Sequence, residues 1–437
     1  MSYKYLQQKK EYISGKIVIG IDPSRNSHQA LILGPDRMQI GKTFSFRHSC
    51  DGIKIKLWQR LGKYISDLDK TKLVFAIEAS TDVWQNLAYY LDRSGFSVML
   101  VSPRITWSSR RLLDQSYSKT DPKDALVIAQ SAMNGYYSFF KIHTPNQEAL
   151  RTLAIAYSKL KKNLIQNRAR IRSMVNRHFP EFHSVLSSST DTAFYLLKEY
   201  LHADDYLDIN VQKEAPEILR ISHQQHGVET LAKLKKTASN TIGIERHGPE
   251  VQTDRILLNG WINIHKAIKE QLETVEKQMH ALAGQTEYFH ILTSLKGISS
   301  TLAALFIAET TDLDQYSHYK QIRKLAGLDM QMSQSGNYRG KRKVSHVGNA
   351  RLRWIIYLMT RETSKYIPEV RIKYLKRKIR GDKYTRNIIA CTSPLLQLIM
   401  ALVRDRRIYG YQDQALSRVA QFQQDHDLLS KKRYKVA

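Results

Sequence analysis

The order of strands and helices in the first 140 residues constrains the fold of this 437-residue chain more than any other feature. Three β-branched runs joined by turns predict consecutive strands at 16–22, 28–33 and 39–46. Predicted next are a helix at 53–68, strands at 72–80 and 97–103 with a helix between them, and a helix from Pro122 to about residue 134. Antiparallel strands followed by alternating helices and strands predict an α/β layer with a mixed sheet. This order is the one expected of an RNase H-like fold.

Four carboxylates stand at informative positions in this pattern. Asp22 ends the first strand, Glu78 lies near the end of the fourth, and Asp121 and Asp124 lie one turn apart at the start of a helix. Hard oxygen donors converging in this way are what Mg²⁺ prefers, and a pair of such ions supports phosphodiester displacement. Each acid also has a structural interpretation: Asp22 as a turn residue, Glu78 as a solvated strand end, Asp121 and Asp124 as helix-start acids.

The middle of the chain, 143–288, is predicted to be a helical coiled-coil and linker region. Thr144 and Gln147 form a predicted capping box with Pro145 at the first helical position. Apolar residues at three-four spacing run through 150–174 and again through 264–282, which predicts two long helices that pair. The pairing fits a hairpin within one chain or a seam between subunits. The polar segment 178–250 gives no signal of chemistry.

Charge indicates the class of partner. The chain has 68 lysines and arginines against 40 acids, a formal charge of +28, which favours a polyanion. Its two cysteines, Cys50 and Cys391, are far apart, so neither a disulfide framework nor a zinc finger is expected. The most apolar run, 394–403, is too short to span a membrane, and the charged N-terminus does not fit a secretory signal. A cytoplasmic protein without a membrane partner is expected.

The third predicted domain, 289–437, is dense in lysine and arginine. Gly297 lies in a turn between two helical patterns, which fits a helix-hairpin-helix phosphate contact or a plain helical turn. A glycine-rich polar stretch at 325–353 predicts a loop or hairpin before a helix. The cations expected to contact nucleic-acid phosphates there are Arg339, Lys341, Arg342, Lys343, Arg351 and Arg353. The acid-free run 371–380 fits either phosphate contacts or a solvated helix face.

One serine of the glycine-rich stretch is a candidate nucleophile. Ser335 precedes Gly336, whose small size would let DNA approach the hydroxyl. Ser333 and Ser345 are equally eligible by composition. Spacing identifies no histidine base, so metal-bound oxygens or nearby arginines could serve instead.

The residues named above resemble, in order, a known family: the transposases of bacterial insertion sequences of the one-ten type, which join a RuvC-like DEDD domain to a serine-bearing transposase domain. The matching segments cover nearly the whole chain and are Gly20-Ile21-Asp22, Ile77-Glu78-Ala79-Ser80, residues 119–125, 178–182 and 325–328, Ser335-Gly336, and residues 348–353. One stretch departs from the family pattern. Between Ser335 and Gly348 the chain carries Arg-Gly-Lys-Arg-Lys and Ser-His-Val-Gly, where relatives more often have Ser-Lys-x-Gly.

The resemblance implies a full set of roles. Asp22, Glu78, Asp121 and Asp124 would bind Mg²⁺ in a RuvC-like domain at 1–142, and Ser335 would attack a DNA phosphate to form a covalent phosphoserine. The partners it implies are double-stranded DNA, a structured guide RNA encoded by the same element, and further copies of the chain in a homodimer or homotetramer. One subunit's RuvC-like domain would then complete its active site with another subunit's serine domain.

Three alternatives remain open. In a metal-only nuclease of the junction-resolvase kind, the four acids do all the chemistry and Ser335 is a structural loop residue. In an actin-like or sugar-kinase ATPase, Ile19-Gly20-Ile21-Asp22 opens a phosphate-binding fold, but this class needs glycine-rich loops and the chain has no Gly-Gly pair. A catalytically inactive nucleic-acid scaffold would tolerate Asp22→Asn.

Overall fold

The protein is described by a computed structural model that covers residues 3–65, 68–80, 82–110, 121–245, 247–331, 334–335, 338–340, 343–411 and 413–434. Two compact units divide the chain, Met1–His143 and Thr144–Ala437, called here the N-terminal and C-terminal units. The predicted boundary after residue 142 lies next to this division. The helical middle and the basic region fall within one unit, and a boundary at 288/289 stays a prediction.

The N-terminal unit is built on a six-stranded mixed sheet of order β3-β2-β1-β4-β5-β6. Its elements are α1 (Tyr3–Ile13), β1 (Ile17–Asp22), β2 (Ser27–Leu33), β3 (Phe44–Arg47), a π-helix (Gly52–Lys56), α2 (Leu57–Leu61), β4 (Leu73–Glu78), α3 (Trp84–Arg93), β5 (Ser97–Val101), α4 (Pro103–Ser109), α5 (Asp121–Met133) and β6 (Ser138–Phe139). β1 pairs antiparallel with β2 and parallel with β4, and β4 pairs parallel with β5. The predicted mixed α/β layer is therefore confirmed.

Two predicted elements differ in extent from the observed ones, and one observed helix was not predicted. β3 covers only Phe44–Arg47, and Gln39 contributes a single bridge to Leu33. The helix expected over 53–68 is shorter and begins as the π-helix, where the Cβ of an added side chain at Gly52 would lie 2.0 Å from the carbonyl oxygen of Arg47. α1 was not predicted, because its polar sequence has little apolar periodicity.

The two faces of the sheet bury different cores, as alternation along a strand requires. Ile19, Ile21 and Phe75 face the side covered by α2 and α3. The other face packs against α5 in a second core, whose members include Val18, Val74, Ala76, Met99, Ala125, Ile128, Ala129 and Ala132. The acid-bearing helix α5 is therefore buried along the middle of the sheet.

The C-terminal unit contains a long helical hairpin. α6 (Pro145–His178) begins with the predicted capping box, in which Thr144 and Gln147 each bond the other's backbone. α12 (Pro249–Gly284) returns alongside it, because Asn146 donates to the side chain of Gln285 at 2.9 Å and Asn167 donates to the backbone of Trp261 at 2.7 Å. The two apolar stripes thus pair with each other inside one chain.

Two cores lie at opposite parts of the hairpin, and most of the remaining helices pack around one or the other. The remaining elements of this unit are α7 (Phe182–Val185), α8 (Asp191–Glu199), α9 (Ala203–Leu207), α10 (Val211–Ile221), α11 (Val228–Ala238), α13 (Glu287–Thr293), α14 (Ser300–Thr310), a 3₁₀ turn (Leu313–Gln315), α15 (Tyr319–Leu325), β7 (Met330–Gln331), β8 (Gln334–Ser335), β9 (Tyr338–Arg339), β10 (Lys343–Val344), α16 (Ala350–Tyr366), α17 (Pro368–Ile379), α18 (Tyr384–Arg404) and α19 (Asp413–Tyr434). Helices α7 to α11 pack on the hairpin through one core, which includes Ile171 and Ile262. Helices α13 to α18 pack on its other part, which includes Leu150 and Met279.

One helix exceeds the length expected of the apolar run at 394–403. Among the described residues, α18 is long and apolar enough to cross a membrane by length and composition alone, because it extends beyond the run 394–403 on its N-terminal side. Half of its most apolar window is buried inside the protein, and Cys391, Leu395 and Ile399 belong to the core around α16. α18 therefore has the burial of a core helix.

Candidate functional site

Two of the predicted acids end neighbouring parallel strands. Ile21 of β1 lies opposite Ile77 of β4, so Asp22 and Glu78 follow at matching positions at the same edge of the sheet. Asp22 shares a face with Gly20, and Glu78 shares a face with Ala76, because side chains alternate along a strand. Both acids therefore lie on the side of the sheet that α5 covers, with Asp22 half-buried and Glu78 only 8% exposed.

The third acid is brought to this edge by a close helix-strand contact. Asp124 lies in the first turn of α5 and is 1% exposed. A Cβ on Gly20 would lie 2.3 Å from the carbonyl oxygen of Ala125 and 2.7 Å from the Cβ of Ala129, so a side chain at position 20 would force the helix away. The absence of a side chain at Gly20 thus allows α5 to bring Asp124 close to the end of β1.

Arg110 is ion-paired with one of the three carboxylates. Its Nε donates to Asp124 Oδ1 at 2.5 Å and its Nη2 to Asp124 Oδ2 at 2.9 Å, a bidentate ion pair. Hydrogen bonding to Asp124 raises the pKa of Arg110 against the opposing effect of burial, and the negative charges of Asp124, Glu78 and Asp22 add to the rise. Asp124 is therefore directly paired with the guanidinium group, and Asp22 and Glu78 act on it only through their charges.

Glu78 has a further fixed partner. The Thr106 hydroxyl, on α4, has one proton to donate and lies within hydrogen-bond distance of both Glu78 Oε1 and the carbonyl oxygen of Pro103. Thr106 is 1% exposed, so this contact holds the carboxylate in a water-poor setting. Burial of an acid beside a hydrogen-bond donor orients one oxygen and leaves the other available to a cation.

The fourth acid is placed differently. Asp121 is exposed at the first residue of α5, one turn before Asp124. Residues 111–120, immediately before it, lie outside the described part of the chain. The role of Asp121 as a ligand stays a prediction.

The residues at this edge fit a divalent cation in their donor chemistry. Carboxylate oxygens from two strands and one helix are the ligands that Mg²⁺ and similar hard ions take. Arg110 already balances part of the negative charge, and both oxygens of Asp124 are engaged by it. A metal ion here would share Asp124 with Arg110 or replace Arg110 at that carboxylate.

The candidate nucleophile lies at the end of a nested hairpin. β7 pairs with β10 outside, and β8 pairs with β9 inside, with Ser335 opposite Tyr338. The predicted hairpin before a helix is confirmed. The side chains of Ser335 and Arg339, and the whole of residues 332–333, 336–337 and 341–342, lie outside the described part, so Ser333, Gly336, Lys341 and Arg342 stay predictions.

A basic cleft adjoins the outer pair of this hairpin. The cleft has a volume of about 1030 Å³, and its lining includes Met330 of β7, Val344 of β10 and the cations Arg323, Lys343, Lys373, Arg377 and Arg386. Burial, together with the positive charges of Arg377 and Arg323, lowers the pKa of Lys373. Like charges held together in a partly buried cleft repel each other, so an anion would be stabilised there.

Three predicted nucleic-acid contacts already have structural partners. Arg351 donates to Glu309 at 2.5 Å, and Arg353 donates to the carbonyl oxygen of Ala326 at 2.9 Å. A Cβ on Gly297, where φ is +105°, would lie 2.9 Å from the backbone of Glu362, so this glycine allows two helical segments to approach. That packing supports the plain helical turn, and nucleic-acid binding at these positions stays a prediction.

Comparison with known proteins identifies the family. A model of the DEDD transposase domain of the IS110 type matches residues 19–180, and a model described as "Transposase IS116/IS110/IS902 family" matches residues 289–375. The two matched segments follow each other in order and together cover more than half of the chain. The chain belongs to the IS110/IS116 family of transposases.

Two curated relatives agree with this assignment. An uncharacterized 44.8 kDa protein of insertion element IS116 from Streptomyces clavuligerus is 22% identical over 405 residues, covering 90% of this chain and 96% of the relative. An uncharacterized 43.6 kDa protein of insertion element IS110 from Streptomyces coelicolor (strain ATCC BAA-471 / A3(2) / M145) is 22% identical over 315 residues, covering 69% of this chain and 75% of the relative.

Family membership carries several conclusions. A transposase of this family acts in DNA transposition, so the chain is an enzyme that binds, cuts and recombines DNA. The DEDD domain match indicates use of a divalent metal, and its range contains all four predicted acids. The second matched range contains Ser335 and most of the basic residues discussed above.

Sequence reasoning did not find Arg110 and Thr106. Both lie in 103–110, a short segment between a strand and the acid-bearing helix, without the periodicity that flags a buried face. Their roles come from contacts with residues 14 and 28 positions away in the chain. The basic cleft was missed for the same reason, since its cations come from separate elements.

Proposed function

We propose that this transposase cuts and rejoins DNA with a Mg²⁺-dependent carboxylate cluster, Asp22, Glu78, Asp121 and Asp124, and with Ser335 as a nucleophile that becomes covalently linked to DNA. The N-terminal unit is an RNase H-like domain in this proposal. Its three antiparallel strands and two parallel strands occur in the order that such a fold requires.

The observation that carries the proposal is that Asp22, Glu78 and Asp124 lie at one edge of the sheet, with Arg110 paired to Asp124. Acids remote in the sequence gather at one edge of the sheet, where several carboxylates would repel each other without a cation. A Mg²⁺ pair held by these acids and by Asp121 would supply charge stabilisation at the phosphodiester that is cut. Arg110 would neutralise part of the negative charge of these acids when no metal ion is bound.

The serine step follows from the chemistry of a hydroxyl. The Ser335 oxygen bonds to a DNA phosphorus while the bond from that phosphorus to one DNA oxygen breaks. The hydroxyl proton passes to a base, the leaving DNA oxygen takes up a proton, and attack by another DNA hydroxyl reverses the process to rejoin the strand. The cations of the adjoining cleft support this role, because they would hold the phosphate backbone beside the hairpin.

Guide RNA and oligomers complete the proposal. The net charge of +28 supports binding of nucleic acid, and a guide RNA would be a second polyanion for this basic chain. A guide RNA would select target and donor DNA by base pairing. A homodimer or homotetramer would join one subunit's carboxylates to another subunit's serine.

Trapping the covalent intermediate tests the serine. Wild-type protein, its guide RNA and labelled DNA are mixed with Mg²⁺ and quenched in denaturant, and labelled protein is measured on a gel. We expect an adduct from wild type and from Ser333→Ala, but none from Ser335→Ala, which should retain DNA and RNA binding. Normal recombination by Ser335→Ala would remove the serine from the mechanism.

The same assay separates the metal-only alternative. A junction-resolvase type of nuclease would cut DNA in Mg²⁺ and release free ends. It would give no protein–DNA adduct, even in wild type with every serine present. Asp121→Asn is expected to abolish recombination without loss of nucleic-acid binding. If Asp121→Asn recombines at the wild-type rate, the exposed acid is a helix-start residue and the cluster has three members.

A further inference from the structure

A second group of possible metal ligands lies far along the chain from the four acids. His178 is the last residue of α6, His202 immediately precedes α9, and Asp254 lies in the second turn of α12. Their exposed fractions are 1%, 8% and 6%. Three separate elements therefore direct polar side chains into the interior of the middle helical segment, where the sequence pattern indicates no chemistry.

The ligand atoms of these residues are close enough for one ion. His178 Nε2 lies 3.0 Å from Asp254 Oδ2, and His202 Nε2 lies 3.9 Å from the same oxygen. All three ligand atoms lie within 4.8 Å of one another. Tetrahedral zinc bonds of about 2.0–2.1 Å place ligand atoms roughly 3.3 Å apart, so side-chain shifts of less than about 1 Å would complete such a site.

The other ring nitrogen of each histidine lies near an acceptor. His178 Nδ1 lies 3.5 Å from the carbonyl oxygen of Ile244, and His202 Nδ1 lies 3.6 Å from Asp205 Oδ2. A proton on each Nδ1 facing these acceptors leaves the Nε2 lone pairs directed at Asp254. Histidine ligands of metals commonly have this outer arrangement, with a carboxylate or backbone carbonyl on the second nitrogen.

The outer acceptors are themselves fixed. Asp205 accepts the backbone N–H groups of Leu201 and His202 through Oδ2 and an Arg255 hydrogen bond at 2.9 Å through Oδ1. The Ile244 backbone N–H donates to the carbonyl oxygen of Arg177 at 2.9 Å. Each histidine therefore has a fixed acceptor beside its Nδ1, which favours the tautomer that leaves Nε2 for an ion.

We propose that His178, His202 and Asp254 bind one transition-metal ion, of which Zn²⁺ is the best chemical match. Two imidazoles and one carboxylate suit zinc, whereas Mg²⁺ takes oxygen ligands and keeps several waters. Three protein ligands leave one position for water. The ion would tie the end of α6 to α9 and α12, so its role would be to stabilise the middle helical segment, independently of the DNA chemistry proposed above.

Metal content and stability together test this site. Full-length protein is purified without added metal, exchanged into chelator-free buffer and analysed by inductively coupled plasma mass spectrometry. We expect about one zinc per chain in wild type and almost none in His202→Ala or Asp254→Asn. His265→Asn is the matched control, since His265 is 2% exposed, lies on α12 and packs against Phe194 outside the cluster; it should keep its zinc.

Adding metal back to wild-type protein that a chelator has stripped tests the site even when a variant fails to fold. Adding Zn²⁺ to chelated wild type should raise Tm by about 5 °C or more, adding Mg²⁺ should not, and Asp254→Asn should respond to neither. Co²⁺ in place of Zn²⁺ should give the visible absorption of a tetrahedral centre. Wild type that purifies without a transition metal and shows no Tm response to Zn²⁺ would overturn the proposal and leave a histidine-aspartate ion pair in its place.

Discussion

Arg110 determines how the acidic edge behaves without metal. Its guanidinium makes two hydrogen bonds to Asp124, whose side chain is 2% exposed in the ion pair. A buried carboxylate that loses its partner leaves an uncompensated charge, which costs about 3–5 kcal/mol. Any divalent ion that binds here can compensate the Asp124 charge in place of Arg110. The stability lost on removing Arg110 should therefore depend on whether metal is present.

Replacing Arg110 by methionine should therefore destabilise the protein most when metal is absent. We expect Arg110→Met to lower the free energy of unfolding of the N-terminal unit by about 3 kcal/mol in chelator, and Mg²⁺ to restore part of the loss. Thermal melts of wild type and variant with and without Mg²⁺ measure the effect. An equal loss in both conditions would mean that a metal ion does not replace Arg110 at Asp124.

His28 on β2 gives a pH-dependent test of the same unit. Burial and the nearby charge of His48 lower the pKa of His28 to about 4 from 6.5. Between these values the unfolded chain binds a proton that the folded protein excludes, so stability present above pH 6.5 is lost as pH falls toward 4. Wild type should therefore lose about 2 kcal/mol more free energy of unfolding between pH 7 and pH 5 than His28→Gln does. Urea unfolding of both proteins at both pH values measures the difference.

Sequence reasoning located the acids better than their partners. Asp22 and Glu78 end runs that are apolar enough to be buried strands, and parallel pairing then brings the two ends together. Arg110 and Thr106 gave no comparable signal, because an isolated polar residue becomes meaningful only through a tertiary contact. For Arg351 the sequence predicted a phosphate contact, and only the structure shows that its side chain pairs with Glu309.

At the scale of elements, the contact between β1 and α5 sets the geometry of the site. Gly20 leaves the space that the first turns of α5 occupy, with the backbone of Ala125 as the nearest neighbour. A clash with backbone cannot be relieved by a side-chain rotation, so the whole helix must move. Because Asp124 precedes Ala125, such a movement would separate it from Asp22.

Gly20→Ala should lower both stability and activity. Overpacking against α5 is expected to cost about 1–3 kcal/mol, and recombination should fall further than the remaining folded fraction explains. Gly260→Ala on α12 is the control, because its new Cβ would meet nothing within 4 Å and helix propensity predicts a gain of roughly 0.5–1 kcal/mol. Unchanged Tm and activity in Gly20→Ala would contradict the close packing described here.

Elements with strong periodicity were predictable, and those defined by tertiary contacts were not. The capping box at Thr144 and the two apolar stripes correctly predicted α6 and α12, but their period alone could not decide between a hairpin and a subunit seam. The hydrogen bond from Asn167 to Trp261 within the chain decides it. The π-helical start at Gly52 depends on the backbone of Arg47, which no local pattern reveals.

At the scale of the whole molecule, the proposed chemistry is divided between the two units. The four acids belong to the N-terminal unit and Ser335 to the C-terminal unit. Each unit has cores of its own, so the acids and the serine can each be kept in place independently. Such a division permits a site formed by two copies of the chain, as the proposed function requires.

Mixing two inactive variants tests whether the site is shared between subunits. Ser335→Ala keeps its acids and Asp124→Asn keeps its serine, so in a mixed oligomer the acids of the first can meet the serine of the second. With equal amounts and free exchange, about a quarter of the wild-type sites should become active if each site needs two subunits. Covalent adduct and recombined product, measured after co-expression, report this recovery. Each variant alone provides the background, and a mixture no more active than that background would place acids and serine of one site in the same chain.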